Sequence, residues 1–181
     1  MIYISYVTMF GVSIMDKDKL YDTMQDIEDS ADYTQSLVDE LVSKCCGSFD
    51  EYLKYVSDLI NGGVANITDE QLDDIILTIP THLYFVGTQQ ERLGIKQDMS
   101  ESLRNAMYNK IFLELTGTVS AKDAQAKAQL FNEDMTTAIY KRAYSTIKAK
   151  TQTAMELLQS AKKVASRRMA ELDLSKNIPQ G

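Results

Sequence analysis

The sequence predicts an all-α protein: an elongated helical bundle with a helical hairpin and a long C-terminal amphipathic helix. Three observations lead there. Gly (8) and Pro (2) are scarce among 181 residues, too few for the turns of a many-stranded sheet. Strong helix formers (Leu, Ala, Lys, Glu, Gln) fill the intervening segments. Apolar residues recur at three- and four-residue spacing through most of the chain.

Residues 1–15, MIYISYVTMFGVSIM, are apolar but lack a basic flank. The stretch is too short for a membrane helix. It reads as a leader or loose tail, with Met9 and Met15 as alternative starts. An acidic helical region follows over residues 16–80. Its first helix is expected from about Asp16 to Cys46, on Leu20, Met24, Ile27, Ala31, Leu37, Leu41 and Val42, with Gly47 as its end. Ser48 and Glu51 then form a capping-box pair for a second helix, which Gly62-Gly63 stops. Thr68 and Gln71 repeat the signature ahead of Leu72, Ile75, Ile76 and Ile79.

Residues 81–172 hold the hairpin and the basic C-terminal helix. Pro80 is expected to open or kink the next helix, which an interruption near Gly94 divides before it runs on to Gly117. In LTGTVSAKDA, Gly117 closes one helix and Ser120 with Asp123 opens the next. The last helix is expected from about Ala121 to Leu172, weakest at Asn132, and residues 173–181 form a frayed tail.

Catalytic signatures are missing from the sequence. It has no HExxH, CxxC, GxGxxG, Walker A or GxSxG pattern. Cys45 and Cys46 are adjacent and have no third cysteine to pair with, so two reduced thiols in an intracellular protein are expected. His82 is the only histidine, and its setting beside Leu83 suits a packed or surface residue better than a base. Asp73-Asp74 and Glu133-Asp134 read as solvated faces and first-turn acids, not as Mg²⁺ ligands. The expectation is a protein that is not an enzyme and has no metal and no cofactor.

Charge is the informative feature. Residues 1–80 carry four Lys and sixteen acidic residues, a net of −12. Residues 140–168 carry eight basic residues against Glu156 alone, a net of +7. On a helical wheel Ile139, Ala143, Ile147, Ala154, Leu158, Ala161, Ala165 and Met169 share one arc. Lys141, Arg142, Lys148, Lys162, Lys163 and Arg167 share the opposite arc, while Lys150 and Arg168 flank the apolar side. Like charges on one face repel one another, and an anionic partner relieves that repulsion. Phosphates of a nucleic-acid strand fit such a rod. A membrane fits less well, because the apolar arc is rich in Ala and lacks Trp and Phe. The acidic half of the chain, from the same or a neighbouring copy, is the third candidate. Tyr108, Tyr140 and Tyr144 lie on or near the basic helices, and Tyr108 and Tyr144 are candidates for base stacking.

Residues Glu91 to Glu171 include LGIKQDMSESLRNAMYNKIFLELTGTVSAKDAQAKAQ and IYKRAYSTIKAKTQTAMELLQSAKKVASRRMAE. This half of the chain resembles small phage-encoded helical proteins and, in layout, the UvsY-type recombination mediators. The resemblance implies a non-enzymatic, oligomeric protein of the host cytoplasm. Such a protein binds single-stranded DNA and helps a RecA-like recombinase displace single-strand-binding protein. It places the hairpin contacts at Arg104, Tyr108, Lys110, Gly117 and Lys122, in addition to Lys141, Arg142, Lys148, Lys162, Lys163, Arg167 and Arg168. The acidic residues 16–80 have no counterpart in it. A helical structural or adaptor protein, such as a virion or assembly component whose basic face meets an acidic protein surface, is the alternative. A small regulator that dimerises through the bundle is a third reading.

Overall fold

A computed structural model describes residues 17–176, and these are all-α. Helix α1 spans Lys17–Asn61, α2 Asp69–Glu114, α3 Val119–Gln129 and α4 Phe131–Lys176. A short 3-10 turn, Val64–Asn66, lies between α1 and α2. The apolar leader expected over residues 1–15 lies outside the described residues. The chain divides into two compact units, Met1–Ser36 and Leu37–Gly181.

In the first unit, residues 19–36 belong to α1 and are exposed, with Thr34 half-buried. Leu20, Met24 and Ile27 keep the helical spacing, yet all three remain open to solvent. Local bonds brace this turn of chain: Gln25 donates to Asp29 and Thr34 to the Ser30 carbonyl.

The second unit is a three-helix bundle. The α1 residues Val38, Val42, Cys46, Phe49 and Val56 are buried with Leu72, Ile75, Ile79, Val86 and Leu93 of α2. Ala143, Ile147, Ala154 and Ala161 of α4 complete the core. Helices α2 and α4 run antiparallel, since Arg104 late in α2 bonds Asp134 early in α4, while Arg168 late in α4 bonds Asp69 at the start of α2. Most of the apolar arc expected on the last helix is thus internal, but Met169 is exposed.

Helix α1 passes straight through Gly47, which was expected to end it. A helical Gly costs about 1 kcal/mol. Burial of its neighbours Cys46 and Phe49, at about 1.5–3 kcal/mol for a large side chain, outweighs that. Helix α2 likewise continues through Pro80 and Gly94 as one element of 46 residues. Pro80 sits on the solvent side, while its neighbour Ile79 is fully buried and holds the helix in place. At Gly94 the missing side chain has a use: a Cβ there would lie 3.3 Å from the Tyr144 ring of α4.

The Thr68 capping box is present as expected, with Thr68 and Gln71 bonding each other's backbone N–H. Gly63 and Gly117 take positive φ at the two interhelix turns. The cap of α3, however, is Thr118 and not Ser120. The last helix also breaks at Leu130, earlier than the expected weak point at Asn132, and runs on to Lys176 through residues expected to fray. Leu130 is fully buried, and its N–H bonds the Lys127 carbonyl in a tighter turn. The break therefore comes from packing, and no helix-breaking residue marks it.

His82 lies among aromatic rings, stacked on Phe49 at 5.5 Å and Tyr52 at 5.2 Å. The Cys46 thiol is pushed from 9.0 to about 11, chiefly by burial and then by Asp50. Tyr52 is also pushed up, by burial and by its bond to Asp74.

Two tests follow from this packing. A Cβ at Gly47 meets nothing within 4 Å, so Gly47→Ala is expected to stabilise the chain by about 0.5–1 kcal/mol in urea unfolding. Gly94→Leu is expected to destabilise it by about 1–3 kcal/mol, because the added side chain must displace Tyr144. A separate test uses pH. Cys46 and Tyr52 hold their protons more tightly when folded, so the unfolded chain deprotonates first. Thermal midpoints should therefore fall as pH rises from 9.0 towards about 11.

Candidate nucleic-acid interface

The core determines which side of α4 faces outwards. With Ala143, Ile147, Ala154 and Ala161 turned inwards, Lys141, Arg142, Lys148, Lys162, Lys163 and Arg167 are all exposed. Arg167 approaches Glu171 of its own helix at 3.7 Å, and both are mostly exposed. The other five make no ion pair among the described residues.

These cations form two groups. Lys141, Arg142 and Lys148 lie towards the start of α4, and Lys162, Lys163 and Arg167 towards its end. At about 1.5 Å per residue, about 20 Å separates Lys148 from Lys162 along the axis. Between them Gln90 of α2 and Lys148, Gln152 and Met155 of α4 line a groove of about 580 Å³. Sequence reading found the cations but not this groove. Its lining is uncharged apart from Lys148, and no sequence pattern marks it.

Two other cations of α4 turn into the bundle. Lys150 bonds both carboxylate oxygens of Asp50 at 2.6 and 2.7 Å, joining α4 to α1. Arg168 has only 23% of its side chain exposed. Its Nη1 donates to the Ile67 carbonyl at 2.8 Å and to Asp69 at 2.9 Å, and its Nη2 to the Val64 carbonyl at 3.1 Å. Arg168 was expected to support DNA contact. Its guanidinium instead fastens the α1–α2 turn to α4.

The hairpin candidates are also largely engaged. Arg104 donates to Asp134 at 2.7 Å and lies over the Tyr108 ring. Tyr108 stacks on Phe112, and its hydroxyl donates to Asp123 at 2.7 Å. That bond raises the Tyr108 pKa. Lys127 is the main cause of the lowered Asp123 pKa, and Tyr108 adds to it. Lys122 sits over Phe112 at 4.6 Å. Tyr144 is half-buried against Gly94. Tyr108 and Tyr144 are both half-buried, Tyr144 against the core, while Lys110 is exposed.

Among the described residues, no group of three or more His, Cys, Asp or Glu side chains is arranged to hold a metal ion. No helix among the described residues is long and apolar enough to cross a membrane. Comparison of the chain with protein-family models, with curated proteins and with solved structures returned no match. The chemistry of the α4 face therefore carries any functional reading.

The two adjacent arginines should separate cleanly. Arg168→Ala removes the side-chain donor to the Ile67 and Val64 carbonyls and to Asp69 and is expected to cost about 2 kcal/mol in urea unfolding. Arg167→Ala removes only an exposed i,i+4 pair and is expected to change stability by less than about 0.5 kcal/mol.

Proposed function

We propose that this chain is a non-enzymatic, single-stranded DNA-binding protein that assists the loading of a RecA-like recombinase in place of single-strand-binding protein. One observation carries the reading: five exposed cations of α4 have no carboxylate partner among the described residues, whereas Lys150 and Arg168 on the same helix are paired inside the bundle. Five neighbouring cations without counter-charges attract a polyanion, and binding releases the counterions condensed on it. Lys141, Arg142, Lys148, Lys162 and Lys163 would contact phosphate, with Arg167 joining when it leaves Glu171. The layout of UvsY-type mediators supports the choice of DNA and of a phage-type recombination system in the host cytoplasm.

The engaged rings of Tyr108 and Tyr144 bear on the mechanism. Without base stacking, binding is electrostatic and tolerant of sequence. The same observation favours one other reading, a helical adaptor whose α4 face meets an acidic protein surface.

Fluorescence anisotropy of a labelled oligo-dT strand decides between them. Five phosphate contacts predict a slope of about −3.5 for log affinity against log salt, at about −0.7 per contact. Lys162→Glu with Lys163→Glu is expected to weaken binding more than tenfold and to flatten the slope. No binding at low salt would remove the DNA reading and leave the adaptor.

A further inference from the structure

Helix α2 is apolar on two opposite sides. Leu72, Ile75, Ile79, Val86 and Leu93 face the bundle. On the far side Leu77, Phe85, Ile95, Met99 and Leu103 are 72%, 64%, 53%, 67% and 60% exposed. At about 100° per residue these five fall within one arc of about 80°. Tyr84, Ile95 and Ala106 recur every 11 residues, as do Leu77, Thr88 and Met99. An 11-residue repeat stays on one side of a nearly straight helix. The exposed Arg92 interrupts this arc between Phe85 and Ile95, yet an apolar row of this size is uncommon on an isolated monomer.

The row is two-fold symmetric about residue 90. Leu77 and Leu103 are equidistant from it, and so are Phe85 and Ile95. Glu70 and Lys110, both exposed, stand equidistant at its ends with opposite charge. Two copies of the row laid antiparallel therefore set Leu77 against Leu103 and Phe85 against Ile95, while Met99 meets Thr81. They also bring Glu70 of each copy to Lys110 of the other. A parallel pairing sets Glu70 against Glu70 and Lys110 against Lys110.

We propose that a second copy of this chain covers the outer face of α2, giving an isologous antiparallel dimer centred near residue 90. From Glu70 to Lys110 the row is about 60 Å long and about 10 Å wide. That buries about 1,200 Å² in total, which reaches the size of a stable specific interface. The Ala-rich arc of α4 is not the dimer seam, because it is buried within the chain. This proposal does not depend on DNA binding.

Sedimentation equilibrium of the full chain tests it without nucleic acid. The expected result is a dimer for the unmodified chain and a monomer for Leu77→Glu with Leu103→Glu, both with unchanged helical circular dichroism. Glu70→Lys alone and Lys110→Glu alone are each expected to weaken the dimer, by about fivefold or more for the two exposed pairs lost. The double exchange should restore it. Mixing the two single variants should give a heterodimer tighter than either homodimer, and weakening by each single change with recovery in the double exchange is the pattern that only the antiparallel register produces. A monomer at tens of micromolar would overturn the proposal. So would a dimer indifferent to the Leu77 and Leu103 changes, since another face would then hold it.

Discussion

Close approach of α2 and α4 is the constraint on which the rest of the second unit depends. It rests on small residues. Ala143, Ala154 and Ala161 give α4 a shallow inner face, and Gly94 leaves room for the Tyr144 ring against α2. Two helices separated by methyl groups and a bare Cα pack closely, and little tolerance remains for rotating either about its axis. Once α4 is fixed in rotation, every one of its other side chains is assigned a direction.

The electrostatics follow from that assignment. A helix segment with a net charge of +7 would repel itself if all its cations faced one way. The bundle instead draws Lys150 to Asp50 and Arg168 to Asp69 and the turn carbonyls. Each of these links joins residues about a hundred positions apart in sequence. Asp50 and Asp69 thus supply counter-charges to the flanks of α4, and of the six outward cations only Arg167 has a carboxylate partner among the described residues. A cationic face open to an anionic partner is what remains after the bundle has satisfied its own ions.

Helix α2 shows the converse. Its inner face is fixed by the core, yet its outer face repeats the same apolar chemistry and stays exposed among the described residues. Weak overall amphipathicity and strong burial coexist because the helix has two apolar sides. Such a helix suits the interior of an assembly better than the surface of a monomer.

The sequence by itself determined the helical class, the Thr68 capping box, the Gly63 and Gly117 turns and the opposition of apolar and cationic arcs on α4. These are local properties, set by backbone propensity and three- and four-residue spacing, and the packing leaves them in place, whereas the equally local Ser48–Glu51 capping pair expected to open a second helix lies inside α1. Only the tertiary structure decided that α1 continues through Gly47 and α2 through Pro80 and Gly94, or that the last helix breaks at Leu130. In each case burial of a neighbour such as Phe49, Ile79 or Leu130 itself overrode a local preference of about 1–3 kcal/mol. The same holds for the site. The helical wheel puts Lys148 on the cationic arc and Lys150 beside the apolar one, but only the structure shows that the first faces water and the second Asp50. Charge patterning counts cations, and only the packing of distant segments determines which of them are already paired.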